Sequence, residues 1–144
     1  MEIDRNFMLN LNKVKPKIEK IARKYNLNFM VIFGSRASGL VHKKSDVDLA
    51  YSAKKPLDYR KEYELTCDLQ RTFDLGPKVR VDLVDLKQAP PLLKKEAVSN
   101  CKILYEEKIG IFDEFFIYAH QLYRETLPLF RLKHESLRRF LAKS

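Results

Sequence analysis

The sequence is poor in the residues that mark secreted, metal-stabilised and membrane-spanning proteins. Its 144 residues include no tryptophan, four glycines and two cysteines. Because Cys67 and Cys101 are too few for a disulfide framework and lack a zinc-type spacing, we expect a reducing, cytoplasmic setting. No apolar run approaches the roughly 18–20 residues of a membrane span, and the opening residues MEIDRNF do not resemble a signal peptide. These absences exclude a zinc finger, a collagen, a membrane protein and a disulfide-rich secreted module.

The residues that are abundant indicate a globular chain with a basic surface. Hydrophobic residues make up 45% of the chain, which is ordinary for a protein that buries a core, and the length favours one domain over residues 1–144. Lysine and arginine number 28 against 19 aspartates and glutamates, a net charge of +9. This excess predicts a polyanionic partner, which can be a nucleotide, a nucleic acid or an acidic protein surface.

Patterns typical of strands and helices alternate along the chain and predict an α/β (α+β) fold with a small mixed sheet covered by helices. Helical spacing runs from about residue 9 to 25, and Pro16 suits a helix only if the helix begins near it. The later predicted elements are a buried strand over 29–33, a strand over 46–51, a helix over 57–73, a strand over 79–86, a short helix to about 98 and a strand over 103–105.

The tail from residue 109 onward has helical apolar spacing, and Pro128 is expected to kink or break it. In its first half a row of aromatic and aliphatic residues favours packing on the sheet over partner binding. Beyond Pro128, apolar residues alternate with arginines, and core packing and partner binding both remain open. The apolar residues of this second half are Leu132, Leu137, Phe140 and Leu141.

Two aspartates in the second predicted strand are the first residues that indicate chemistry. Asp46 and Asp48 are two apart, so their side chains project from the same face of a strand. Two like charges side by side are costly unless a cation lies between them, and oxygen ligands favour Mg²⁺ or Mn²⁺. Alone, this pair is a weak signal and favours a solvated edge strand over a metal site.

A glycine and a serine ten residues earlier change that interpretation. Gly34 and Ser35 directly follow the buried strand, where a sharp turn presents backbone N–H groups as donors to phosphate. Ser35 adds a hydroxyl donor, and Arg36 adds a permanent cation. The loop and the next strand together predict a site for phosphoryl or nucleotidyl transfer.

The run G-S-x10-D-x-D, from Gly34-Ser35 to Asp46-Val47-Asp48, resembles the signature of the DNA polymerase β-type nucleotidyltransferase superfamily. Three sequence segments resemble those of the minimal nucleotidyltransferases (MNT), in particular the antitoxins paired with HEPN ribonuclease toxins. These segments are FGSRASG, SDVDLA and VRVDLVDLKQAPPLL. The resemblance covers about residues 27–106 as a catalytic core, followed by a helical tail over about 109–144. It implies the polymerase β-like fold.

The same resemblance implies a third carboxylate on a neighbouring strand, for which Asp82 and Asp85 are candidates. Alternation puts these two on opposite faces, so at most one can join the pair. Asp85 lies on the apolar side of the strand with Val81 and Leu83, whereas Asp82 matches the family's V-D-L-V pattern. We therefore assign Asp82 as the third carboxylate.

The activity that the resemblance implies is transfer of AMP from ATP to a tyrosine hydroxyl of a cognate HEPN toxin. Two Mg²⁺ ions, with Mn²⁺ as an alternative, would be held by the catalytic carboxylates Asp46, Asp48 and Asp82. The implied nucleotide-binding residues are Gly34, Ser35, Arg36 and Ser45. Ser38 stands where the family often has a second arginine, a role that Lys43 or Lys44 would have to fill.

Two other functions remain open at the level of sequence. One is an antitoxin with weak catalysis that acts by direct binding. The other is a nucleotidyltransferase that acts on RNA or a small molecule. The few residues after Asp82 leave little room for a separate acceptor-binding domain, so a protein acceptor is favoured over nucleic acid.

Overall fold

Helices and strands alternate in the computed structural model, which describes residues 5–34, 47–73 and 80–143, with side chains from residue 11 onward. The elements are α1 (Arg5–Lys24), β1 (Leu27–Phe33), β2 (Val47–Ala53), α2 (Tyr59–Phe73), β3 (Val81–Asp85), α3 (Pro91–Ser99), β4 (Cys101–Glu106) and α4 (Ile111–Ala142). Within those residues the strands form one sheet in the order β3-β2-β1-β4. The sheet is mixed, because β2 and β3 run parallel while the other pairs are antiparallel. The predicted fold class is confirmed.

Strand β1 occupies the interior of the sheet because its side chains are apolar on both faces. Met30 and Ile32 pack into a core cluster with residues of α1 and α2, whereas Phe29 and Val31 pack with residues of α3 and α4. Phe29 also contacts the Phe112 ring edge to face, with 5.4 Å between ring centroids. Two helices therefore cover each face of the sheet.

The parallel pairing of β2 and β3 depends on α2, because parallel neighbours need a crossover connection. Helix α2 buries Leu65, Leu69 and Phe73. The Tyr51 hydroxyl of β2 donates a hydrogen bond to Glu62 of α2 at 3.2 Å. Burial of the Tyr51 ring, the charges of Asp85 and Glu62, and this hydrogen bond raise the pKa of its hydroxyl. The Tyr51 hydroxyl therefore stays protonated at neutral pH, and its hydrogen bond to Glu62 holds α2 against β2.

Neither of the two prolines inside helices ends its helix. Helix α1 begins at Arg5 rather than near Pro16, so that prediction is wrong, and α4 continues through Pro128 without a break. A proline leaves the carbonyl four residues earlier without its helical donor. Asn12 and Arg124, at those positions, are exposed, so water can satisfy both carbonyls.

Asp68 links α2 to the end of α1 through hydrogen bonds to its carboxylate. Its carboxylate accepts hydrogen bonds from the Tyr25 hydroxyl at 2.8 Å, the Lys24 ammonium at 3.3 Å and the Arg71 guanidinium at 2.5 Å. Burial favours the neutral acid, but these donors outweigh burial and hold the pKa of Asp68 below its usual value. We expect Asp68→Asn to lower the free energy of unfolding at pH 7 by about 1–3 kcal/mol.

The pH dependence follows from the direction of that pKa shift. Stability from a carboxylate with a lowered pKa is present above its unfolded value of about 4 and is lost as the pH falls through the folded value. Urea unfolding should therefore show a gap between wild type and Asp68→Asn at pH 7 that narrows toward pH 3. Glu125→Gln, at an exposed position of α4, is the control and should show neither effect. An equal gap at both pH values would contradict the role of the charge.

Candidate active site

The predicted carboxylates Asp48 and Asp82 lie side by side on β2 and β3. They are paired residues in the parallel register, so their side chains project from the same face of the sheet. Neighbouring strands lie about 4.8 Å apart, which is close for two like charges. Asp48 is also paired with Phe33 of β1, and Phe33 with Cys101 of β4. One row across the sheet therefore runs Asp82, Asp48, Phe33 and Cys101.

Asp85 lies on the other face of β3. Its paired residue on β2 is Tyr51, which belongs with Val81 to the core cluster of α1 and α2. The Asp85 carboxylate accepts the backbone N–H of Lys87 at 3.0 Å, where the chain turns after the strand. The structure thus places Asp82, and not Asp85, next to Asp48.

Gly34 lies close to the carboxylate of Asp48. Its φ is +77°, in the region that favours glycine. A Cβ atom at this position would lie 2.7 Å from Oδ2 of Asp48, so a larger residue would require the carboxylate or the turn to shift. The backbone at the end of β1 is therefore packed directly against the Asp48 side chain.

Four of the predicted site residues fall on segments outside the described residues. These are Ser35, Arg36, Ser45 and Asp46, together with the alternative cations Lys43 and Lys44. The described chain ends at Gly34, next to Phe33, and resumes at Val47, next to Asp48, so both flanks of this segment adjoin the two middle members of the row. In the ranges with described side chains, no group of three or more histidines, cysteines, aspartates and glutamates is arranged to hold a metal. Asp48 and Asp82 are the two predicted ligands that can be located.

The located donors fit a hard divalent cation. Both are carboxylates, and oxygen-only ligand sets favour Mg²⁺ or Mn²⁺. Their common face and matched register bring two negative charges together, which a bound cation would stabilise. Cys101, in the same row, does not add a thiolate, because burial raises the pKa of its thiol to about 11. The thiol is protonated at neutral pH and lies 3.5 Å from the Val98 carbonyl.

A cavity of about 730 Å³ lies elsewhere, between α1 and the opposite end of the sheet. Its lining includes Leu27 at the start of β1, Lys54 after β2 and Glu106 at the end of β4. Cations and carboxylates are mixed there, and Lys54 is paired with Glu107. This cavity is separate from the carboxylate row.

The carboxylate pair, the glycine packed against it and the mixed sheet together define a class of protein. The family model described as "Polymerase beta, Nucleotidyltransferase" matches residues 16–109. The chain belongs to this family. The match contains every predicted site residue and all four described strands, and it ends before α4 begins.

Particular relatives narrow the comparison. The chain is 34% identical over 97 residues to protein adenylyltransferase MntA of Shewanella oneidensis, a match that spans 67% of this chain and 66% of that relative. It is 27% identical to a chain in a crystal structure of a toxin–antitoxin with AMP-PNP, with a TM-score of 0.72 over 86% of this chain and 98% of that one. A chain from the complex of a tri-AMPylated S. oneidensis HEPN toxin with MNT antitoxin has the same fold, at 24% identity and a TM-score of 0.69 over 89% of this chain and 98% of that one.

None of the described helices combines the length and the apolar composition that are needed to cross a membrane.

Proposed function

We propose that this chain is a Mg²⁺-dependent protein adenylyltransferase that transfers AMP from ATP to a tyrosine hydroxyl of a HEPN-type toxin and thereby neutralises it. The observation that carries the proposal is the pair Asp48 and Asp82, in register on adjacent strands, with Gly34 packed against Asp48. The register brings two like charges together, and a divalent cation bound between them would stabilise the pair. Such an arrangement is useful where a divalent cation and a triphosphate bind.

The choice of ATP and of a protein acceptor rests on the relatives. The relative named MntA is a protein adenylyltransferase, and the similar toxin–antitoxin structure contains AMP-PNP, an analogue of ATP. The family match and the carboxylate row fall in the same part of the chain. We therefore extend the adenylyl donor and the toxin partner from these relatives to this chain.

The order of residues along the row gives each of them a role. Gly34 directly follows β1, and it would bind the phosphates of ATP together with the proposed nucleotide-binding residues Ser35, Arg36 and Ser45. Asp82 is exposed on the edge strand β3, where an acceptor from outside can approach. A nucleotide bound beside Gly34 and an acceptor entering at β3 would meet at Asp48, which Gly34 and Asp82 both adjoin.

The reaction is a substitution at the α-phosphorus of ATP. The tyrosine oxygen forms the new O–P bond, the bond to pyrophosphate breaks, and the hydroxyl proton is removed with the help of Asp82. Asp46, Asp48 and Asp82 would hold the two Mg²⁺ ions. Bound there, the ions would supply positive charge to the phosphates and lower the pKa of the attacking hydroxyl. The chain's own contribution is to orient the two reactants across one short row of residues.

A transfer assay tests the proposal. Purified chain is incubated with Mg²⁺, ATP labelled on the α-phosphate and a HEPN-domain toxin. We expect label and a mass increase of AMP on a tyrosine of that protein, and neither in the presence of EDTA. Asp48→Asn should lose the transfer, because it removes one carboxylate of the row. Label on RNA instead of the protein, or transfer that is equal in EDTA, would overturn the proposal.

A further inference from the structure

The last part of α4 extends away from the rest of the molecule. Helix α4 runs from Ile111 to Ala142, but its buried residues are Phe112 and Ala119, both in its first third. Every side chain from residue 128 to 142 is exposed. We call residues 128–142 the α4 extension. Packing against the rest of the chain does not stabilise the α4 extension as a helix. Contact with another molecule would account for it.

The α4 extension carries more exposed apolar surface than a solvated helix would. Six of its large apolar side chains are more than half exposed: Leu129, Phe130, Leu132, Leu137, Phe140 and Leu141. Single exposed apolar residues are ordinary, but six within fifteen residues of one helix are more than solvation alone explains, which indicates an interaction surface. The extension is roughly 22 Å long at 1.5 Å per residue, which suits a groove on a folded partner.

Four residues of the α4 extension have the spacing found in helices that bind in a groove. Phe130, His134, Leu137 and Leu141 recur at intervals of four, three and four, so they share one side of the helix. A shallow depression of about 470 Å³ borders one edge of this row, where Phe130 and His134 line it together with Arg131 and Arg138 of the neighbouring side. Such rows are how an amphipathic helix fills a hydrophobic groove.

Charge distinguishes between the possible occupants. The extension has four permanent cations, Arg131, Lys133, Arg138 and Arg139, against one carboxylate, Glu135. Two copies of the extension packed side by side, in either direction, would bring these cations together. An acidic groove would attract the extension over distance and speed the encounter. The charges therefore favour a different, acidic protein over a second copy of this chain.

We infer that the α4 extension is the docking element through which this chain binds its acceptor protein, by insertion into an apolar groove with an acidic rim on the HEPN-type partner. The inference rests on the proposed function for the identity of that partner. The family match at residues 16–109 contains the carboxylate row and none of the extension. Docking and chemistry thus occupy separate parts of the chain.

The test uses the full chain and measures its affinity for the HEPN-domain toxin used in the transfer assay. Phe130→Gln with Leu137→Gln should weaken binding by roughly tenfold or more, because the groove loses its two central anchors. Ile109→Gln with Ile117→Gln is the matched control, since both residues are exposed and lie outside the extension. The control should bind as the wild type does, and thermal unfolding should show that both double variants fold.

A second pair of variants tests the charge. Arg131→Glu with Arg138→Glu should slow association and reduce its dependence on salt. Lys17→Glu with Lys20→Glu makes the same change of charge on exposed positions of α1, and it should have little effect.

The outcomes separate this inference from the proposed function. Binding of the Phe130/Leu137 variant at wild-type affinity would overturn the docking role, as would no binding of the wild type. Dimers of the wild-type chain alone in sedimentation, lost in that variant, would assign the surface to a second copy instead. Tight binding through the extension without AMP transfer would contradict the enzymatic function and leave the docking role standing.

Discussion

Asp82→Asn should reduce AMP transfer by at least about two orders of magnitude, whereas Asp85→Asn should retain most of it. The two changes are chemically identical and lie three residues apart on one strand. Only Asp82 shares a face and a register position with Asp48. Asp85 projects toward the side of Tyr51, and an asparagine there keeps the oxygen that accepts the Lys87 N–H.

The measurement is the initial rate of label transfer at saturating ATP for wild type and both variants. Thermal unfolding of each protein provides the folding control. Equal losses in two folded variants would mean that the row Asp82–Asp48 is not the reacting face. Loss in Asp85→Asn alone would place the third carboxylate on the opposite side of the sheet.

Gly34→Ala should be nearly as damaging, for a reason that a second glycine can isolate. The new methyl group would lie 2.7 Å from Oδ2 of Asp48, so either the carboxylate or the turn must move. A non-glycine residue at a φ of +77° also costs about 1–2 kcal/mol of backbone strain. We expect a loss of stability of that order and a fall in transfer rate of roughly a hundredfold.

Gly110→Ala is the matched control for this prediction. Gly110 also has a positive φ, of +95°, but a Cβ atom there would meet nothing within 4 Å. This variant should therefore show the strain as a lower midpoint of denaturation and keep its transfer rate when assayed while folded. If Gly110→Ala lost activity to the same degree as Gly34→Ala, the close approach to Asp48 would not be the cause.

These results would describe a protein that divides its work between two parts. In the proposed arrangement the sheet would hold the reacting groups in one row, with the nucleotide beside Gly34 and the acceptor at the open edge strand β3. The α4 extension lies outside that row and would supply the apolar area that three carboxylates cannot, since a stable protein interface needs about 800 Å² on each side. A transferase with a protein acceptor needs both.

Local patterns in the sequence were sufficient to predict the reaction class and most of the helices and strands. Glycine and serine after an apolar run, followed by two aspartates at alternate positions, predicted a metal-assisted transfer site on the sheet. Alternation within β3 also separated Asp82 from Asp85 without a structure. Such inferences succeed because the direction of a side chain on a strand depends on the backbone alone.

The tertiary structure decided what depends on more than one segment. The register of Asp48 with Asp82 requires the parallel pairing that α2 makes possible, and the approach of Gly34 to Asp48 requires β1 and β2 to pair. The structure also decided that α1 begins well before Pro16 and that α4 continues past Pro128, because the effect of a proline depends on whether water reaches the freed carbonyl. The sequence leaves core packing and docking equally open for the last half of α4, and the structure excludes core packing, since every side chain from residue 128 to 142 is exposed. An apolar stripe has the same spacing in both cases, and only the position of the other elements determines whether it is covered.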